Sequence, residues 1–379
     1  MTSTPLILAA LATSAVANLN AVAARKHTLN EDGECTSVVV TTDHNEVIVR
    51  VPMNDTANAE LSAAILGQNA LTGGARAQLP FAVPEVLGVT RSGDSRAVVS
   101  TFISGAKFAV GDLSPDALLV ASIAACLDAL HSLPGHLVSD AGLPVNNNEQ
   151  CRANALRLVE RASASGLLPV AIREYWLGII REQALWDFAA TPIHGSLDAS
   201  QFLVHDNAVT GILGFGSLQV GDPARDFAWL YGAPAGVLEE VVRRYSERTD
   251  MAQESLARRA LLYHELELAK WLLHGIETHN QEIIDDAVEL LDGLVEKVTT
   301  STVAPVRRVT NEQLAKDVIS STPAVAASTG SATDDLAALD GLDDDRVFNQ
   351  DTDFIEPLPE ELTPAQQSEE QESSEQNQA

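Results

Sequence analysis

Cysteine is scarce: three residues, Cys35, Cys126 and Cys151, in a chain of 379. Their number is odd and their spacing irregular, and none stands in a CxxC pair or with histidines at metal-ligand spacing. That excludes a disulfide framework and a cysteine-based metal site, and points to reduced thiols in a cytoplasmic protein. Basic residues are also few, with 24 Lys and Arg against 53 Asp and Glu and a net charge of −29 at pH 7. From Asp334 onward, fifteen acidic residues face one basic residue, Arg346; this stretch carries −14 and leaves −15 on the first 333 residues. Charge of that sign on both parts repels nucleic acid and acidic membranes, so neither is expected as a partner. Long apolar runs are missing as well, apart from residues 5–24. No Lys or Arg precedes Arg25, so the positive region of a secretory signal is absent, and Asn18 and Asn20 interrupt the run. It reads as an amphipathic opening helix packed on the domain that follows. Nothing else approaches the length of a membrane span.

What is present is a chain large enough for two domains or lobes, with 45% hydrophobic residues. Residues 37–42 and 46–51 are rich in β-branched side chains around the turn-forming Asp43-His44-Asn45, which predicts a hairpin. A helix is expected over 57–71 and a strand over 97–102. Ser114 followed by Pro115 reads as an N-cap and first helical residue, with Leu118, Leu119, Ile123, Leu127 and Leu130 at helical spacing until Pro134. His131 reads as an ordinary histidine near a helix C-terminus. Helices are expected over 148–165 and 171–188, the second carrying Trp176 and Trp186 as core residues. A short hairpin follows, 202–205 and 209–215, and the chain then reads as helical from 230 to about 298.

Residues 193–230, IHGSLDASQFLVHDNAVTGILGFGSLQVGDPARDFAWL, hold the block that points to chemistry. His194-Gly195-Ser196-Leu197 precedes Gln201, the hairpin, and Gly221-Asp222-Pro223 with Asp226. This block resembles the core motif of the aminoglycoside phosphotransferase and choline kinase-like family. In that family a His-Gly-Asp-Leu turn is followed by an Asn, and an Asp closes a strand ahead of Gly-Asp-Pro-x-x-Asp. The resemblance spans about residues 1–300 and implies an α+β, two-lobed protein kinase-like fold. The small β-sheet N-lobe would cover 1–104 and the mainly helical C-lobe 105–300. It further implies ATP or another nucleotide as cofactor, with adenine contacting backbone at a hinge near Phe102 to Gly105, and a small-molecule ligand in the C-lobe cleft.

The departures from the family pattern concern the groups that would do the chemistry. Ser196 stands at the catalytic-base position, Gln201 at the first metal-ligand position and Gly214 at the second. A serine has no useful basicity at neutral pH, and general-base assistance is commonly worth about two to four orders of magnitude. Mg²⁺ is usually held by one or two carboxylates with phosphate oxygens and water, so its presence is doubtful with an amide and a glycine in those slots. The phosphate-holding Lys slot on the second hairpin strand holds Arg50, a planar fork in place of a point charge. Glu60 stands where the family's Lys–Glu pair would be completed; a strand-end Arg and a surface Glu are the alternative. His194, Asp222 and Asp226 match the framework that holds the loop. No kinase-type Gly-rich loop lies between Arg25 and Thr42.

Two functions lead on the sequence, beside a third class, a purely structural interaction protein with an empty cleft, which only nucleotide binding would separate from the first. One is a catalytically impaired pseudokinase acting in binding or scaffolding. The other is an active small-molecule phosphotransferase with Asp198 moved into the base role and Asp222 recruited to metal. Glu265, Glu267, His264 and His274 either face a cationic substrate or lie on solvated helix faces. Residues 301–333 read as a linker with a short helix over 311–320. The acidic tail, 334–379, reads as disordered, serving either to recruit a basic protein partner or to solubilise.

Overall fold

The computed structural model describes residues 5–27, 35–43, 45–249 and 251–303; the first three residues of the expected linker, 301–303, end its last helix, and the rest of the linker and the acidic tail lie outside the described residues. The N-terminal region runs α1 (Pro5–Ala15), β1 (Ala21–His27), β2 (Cys35–Thr42), β3 (Glu46–Pro52), α2 (Asp55–Ala70), α3 (Gly73–Arg76), β4 (Val86–Ser92) and β5 (Ser95–Thr101). The five strands form one antiparallel sheet in the order β1-β2-β3-β5-β4. Alternation along each strand sends successive side chains to opposite faces. Val38, Val40, Val47, Val49, Val51, Ala97 and Val99 pack beneath Leu8, Ala9 and Ala12 of α1, the opening helix expected from the sequence. Directly paired residues share a face, so His27, Ser37, Arg50 and Val98 form one row on the side away from α1.

Two strands of this sheet were not expected. β1, AVAARKH, is alanine-rich and charged, and holds its place by edge pairing with β2 while its side chains stay largely accessible. β4 pairs with β5 across Gly93-Asp94, where Gly93 takes a φ of +64°. Helix α2 starts two residues earlier than expected because the Asn54 side chain accepts a 2.7 Å hydrogen bond from the Ala57 amide. Behind it, the Arg76 guanidinium donates to the carbonyls of Leu71, Val83 and Gln68 at 2.6 Å each, and to that of Pro84 at 3.1 Å. Arg76 thus pins the segment ahead of β4.

The C-terminal region contains α4 (Leu118–His131), α5 (His136–Ser139), α6 (Asn148–Ala164), α7 (Val170–Arg181), β6 (Thr191–Ile193), β7 (Phe202–His205), β8 (Ala208–Ile212), β9 (Gln219–Gly221), α8 (Val237–Thr249), α9 (Gln253–Glu277) and α10 (Gln281–Val303). Helix α4 begins at Leu118 and not at Pro115. Ser114 does not cap it: its carbonyl closes a separate turn with the Ala117 amide at 2.9 Å. Helix α7 ends at Arg181, and residues 183–186 form a 3₁₀ turn. There the carbonyls of Leu185 and Trp186 are taken by Arg259 and Asn148 at 2.6 and 2.8 Å, outside donors that replace helix continuation. Asn147 and Gln150 make a capping box at the start of α6.

Two hydrophobic cores fill this region. One joins Leu127 and Leu130 of α4 to Phe202, Phe215, Phe227 and Tyr245. The other joins Trp176 and Trp186 to Leu262, Leu266 and Leu272 of α9, which bears out the reading of both tryptophans as core. The expected membership of a mixed, two-lobed class is what the structure shows: an antiparallel sheet first, helices after. Among the described residues no helix is long and apolar enough to cross a membrane.

Candidate functional site

The site is built where the β6–β9 ribbon and the β7–β8 hairpin meet. Leaving β6, the chain must turn sharply at His194-Gly195-Ser196. Gly195 has a φ of +85°, and a Cβ there would overlap the Ser217 carbonyl oxygen, so only glycine fits. The turn is held from below by Asp226. Its two carboxylate oxygens accept the His194 amide at 2.7 Å and the Gly195 amide at 2.8 Å. Burial alone would raise the Asp226 pKa; the hydrogen bond and charge of His131, the charge of His194 and the Gly195 amide outweigh it and hold the carboxyl below its ordinary value.

His131 is the residue that sequence reasoning misjudged most. It is buried, with Nε2 3.1 Å from Asp226 Oδ2 and Nδ1 3.0 Å from the Tyr245 hydroxyl. Since an ionised carboxylate only accepts, Nε2 carries the hydrogen. A buried chain of Tyr245, His131 and Asp226 therefore supports the turn from α8 through α4. The available signal was the apolar run around His131, which places it on the buried stripe of α4 with Leu127 and Leu130.

His194 itself is buried, and its Nε2 lies 2.8 Å from the Leu213 carbonyl, so that nitrogen donates. Burial, opposed by Asp226, pulls its pKa below the ordinary histidine value. Asp222 is buried with Arg259: Oδ2 accepts Arg259 Nε at 2.7 Å and the Tyr263 hydroxyl at 3.2 Å, and Oδ1 accepts the Ala224 amide at 2.9 Å. Arg259 also lies over the Phe188 ring, 4.4 Å from its centroid. His194, Asp222 and Asp226 thus sit in one continuous framework around the turn.

Ser196 is half-buried at the turn, and its hydroxyl has no protein partner among the described residues. Two residues on, Asp198 caps the 3₁₀ turn over 199–201, its carboxylate accepting the Ser200 amide. Gln201 and Gly214 come together across the hairpin entrance, where the Leu213 amide donates to the Gln201 carbonyl at 2.9 Å. Gly214 has a φ of +81°, which ends β8 at Ile212, short of the expected 215. A Cβ built there would collide with the Gln201 carboxamide oxygen, with Cδ at 2.7 Å and Nε2 at 3.1 Å. The space above Gly214 is filled by the Gln201 side chain. A neutral amide over a glycine is not the donor set Mg²⁺ takes, and the residues at these two positions do not fit that ion.

On the sheet, Arg50 is half-buried on the face away from α1 and forms no ion pair among the described residues, with Glu60 or any other carboxylate. Phe102 lies at the end of β5, its amide donating to the Glu46 carbonyl at 3.2 Å and its ring receiving the edge of His27 at 5.4 Å and the Arg25 guanidinium at 5.2 Å. Ala106 exchanges backbone hydrogen bonds of 2.8 and 2.9 Å with Val204. Between them the amides of Ile103, Ser104 and Gly105 have no backbone partner among the described residues.

The residues considered for a cationic substrate are arranged otherwise. Glu265 is buried in the second core, its Oε2 accepting Trp176 Nε1 at 2.8 Å. Burial pushes its pKa up to about 8, against the Trp176 hydrogen bond and the charge of Lys297. His264 stacks on Tyr231 at 5.5 Å, and burial pulls its pKa down to about 4. Glu267 pairs with Lys270 at 3.1 Å and His274 stacks on Trp271 at 5.6 Å. Glu265 yields a stability prediction. Its folded pKa is raised, so its contribution is fully present below the unfolded value near 4.5 and is lost as pH rises through about 8. Glu265→Gln keeps the acceptor for Trp176 without the ionisation. Urea unfolding should find it equal to the native protein at pH 5 and more stable by roughly 2–4 kcal/mol at pH 9. The cysteines are free; burial pushes the Cys126 and Cys151 thiols up to about 12, which leaves them unreactive.

Solved structures with this architecture include a macrolide 2'-phosphotransferase from Brachybacterium faecium. It is 18% identical, with a TM-score of 0.62, covering 75% of this chain and 97% of that one. An aminoglycoside phosphotransferase in complex with GDP and kanamycin is 20% identical, with a TM-score of 0.60, over 77% of this chain and 98% of that one. A second aminoglycoside phosphotransferase, bound to ADP, is 20% identical, with a TM-score of 0.52, over 73% and 93%. At these identities the likeness shows a shared kinase-like fold. No curated protein matches the sequence. The phosphotransferase enzyme family (APH) matches residues 28–272, well over half of the chain and the whole of the site described above, and the chain belongs to that family.

Proposed function

We propose that this protein is a catalytically impaired phosphotransferase, a pseudokinase that binds a nucleotide and acts by binding or scaffolding with little or no phosphoryl transfer. The observation that carries the reading is the Gln201 carboxamide lying over Gly214, beside a turn whose base position is Ser196. Phosphoryl transfer needs an oriented acceptor hydroxyl and a cation against the phosphates. The side chains for both tasks are replaced, while the supporting groups, His194, Asp222 and Asp226, keep their bonds. Nucleotide binding is supported by the open backbone at 103–105, by Arg50, and by the GDP and ADP held in structures of the same fold.

The second reading is an active small-molecule phosphotransferase using Asp198 as base and Asp222 as metal ligand. Against it stand the commitments of those carboxylates, Asp198 to the Ser200 amide and Asp222 to Arg259, Tyr263 and Ala224. The proposal also places the lobe boundary at 104/105, the protein in the cytoplasm, a small-molecule ligand in the C-lobe cleft, and a basic protein partner on the acidic tail.

Thermal unfolding with ATP, ADP and GTP tests the binding half of this reading, because a ligand that binds only the folded chain must raise its melting temperature. At about 100 times Kd the stabilisation is about 2.7 kcal/mol. An unchanged melting temperature with every nucleotide at millimolar concentration would remove the nucleotide from the proposal.

A further inference from the structure

We propose that this cleft holds the phosphates of a nucleotide without a divalent cation, Gln201 supplying amide donors from above Gly214 and Arg50 supplying the positive charge. The inference rests on the nucleotide-binding reading above and deepens it.

The first argument is steric. Glutamine at 201 and any side chain at 214 compete for the same space, because a Cβ on Gly214 falls on the Gln201 carboxamide. In the arrangement seen, the end of the Gln201 side chain, a neutral amide, occupies the space next to Gly214, and a side chain at 214 would require it to move. The second argument is electrostatic. In a metal-bound site, carboxylates and phosphates are like charges that the cation holds together; with no cation, they repel. Positions 201 and 214 here present no anion, so a metal-free polyphosphate meets no repulsion from them. It meets donors instead, since the Gln201 side chain has no hydrogen-bond partner among the described residues.

The third argument concerns charge from the sheet. Arg50 stands in the row with His27 and Ser37 on the face away from α1, without an ion pair among the described residues. A guanidinium offers a planar fork that matches two phosphate oxygens at once, and it stays charged under all conditions of interest. His27 Nε2 in the same row is buried without a hydrogen-bond partner among the described residues. The proposal thus takes its charge from Arg50 of β3 and its donors from Gln201, in the loop ahead of β7.

The test is isothermal titration of ATP into the full-length protein, once in EDTA and once in excess Mg²⁺. The native protein should bind ATP with the same Kd in both buffers, within about twofold. Gln201→Ala should weaken binding in EDTA by about tenfold, the loss expected for hydrogen bonds to a charged group. Gln201→Glu, which keeps the size and adds an anion, should bind more weakly still in EDTA. The double variant Q201N/G214D clears the space and restores a carboxylate, and should gain at least about tenfold in affinity from Mg²⁺. A native protein that binds ATP at least about tenfold tighter with Mg²⁺ would overturn this inference and leave nucleotide binding standing. Equal affinity of the native protein and Gln201→Ala in EDTA would overturn the role given to Gln201. Absence of ATP binding in both buffers would overturn the inference together with the nucleotide in the proposed function.

Discussion

Replacing Asp226 by alanine is expected to cost the fold about 3–5 kcal/mol and to lower the melting temperature by roughly 10 °C. The carboxylate is fully buried and accepts three hydrogen bonds, from the His194 and Gly195 amides and from His131. Its removal leaves two backbone donors and the His131 Nε2 hydrogen without partners in a site closed to water, and each unmet donor costs about 1–3 kcal/mol. The turn at Gly195, held at a φ of +85°, loses the contacts that hold it there. Asp226→Asn should fall in between, because the amide keeps one acceptor and sets its NH₂ against a donor. The pH dependence has a definite sign. The folded pKa of Asp226 lies below its ordinary value, so its stabilisation is present above the unfolded carboxylate pKa and is lost as pH falls through the folded one. Chemical denaturation of both variants at pH 7 and at a pH well below the unfolded value of 3.8 measures this: the gap between Asp226→Ala and the native protein should narrow only at the acidic pH.

The second large effect is at Asp222 and Arg259. Both side chains are about 1% exposed, and the 2.7 Å contact between them ties α9 to the end of β9 together with the Tyr263 hydroxyl. Asp222→Ala leaves a buried guanidinium whose remaining acceptors are the carbonyls of Leu185 and Ser255, with the Phe188 ring above it. Breaking such a pair from one side costs about 3–5 kcal/mol, because the survivor is a buried, uncompensated charge. Removing both partners, as in Asp222→Ala with Arg259→Met, should cost less than Asp222→Ala alone, since the apolar stem is kept and no lone charge remains. A double variant less stable than the sum of the two single ones would contradict this account of the pair.

The block from His194 to Asp226 was legible in the sequence because its glycines and acids serve a backbone geometry that tolerates few alternatives. Gly195 must have no side chain, and Asp226 must reach two amides at once. The alternating β2 and β3 were legible for a similar reason: one face of each strand is buried beneath α1. What escaped was set by tertiary partners. β1 is a strand through its pairing with β2, since its composition favours none. The end of α7 is decided by Arg259 and Asn148, which lie far away in sequence. His131 and Glu265 look alike in sequence, each a polar residue among leucines. One supports the turn through Asp226 and the other sits in a core against Trp176. Nor did spacing reveal that Gln201 and Gly214 share one volume, because that contact exists only once β7 and β8 have paired.

The central claim is that the cleft keeps its framework and lacks the side chains for phosphoryl transfer. It is tested most directly by ³¹P NMR of ATP incubated with the full-length protein, Mg²⁺ and a panel of aminoglycosides, macrolides, amino alcohols and sugars. The account predicts that ATP persists at the rate of the protein-free control with every acceptor. Protein-dependent formation of ADP and a phosphorylated acceptor, abolished by Asp198→Ala, would contradict it.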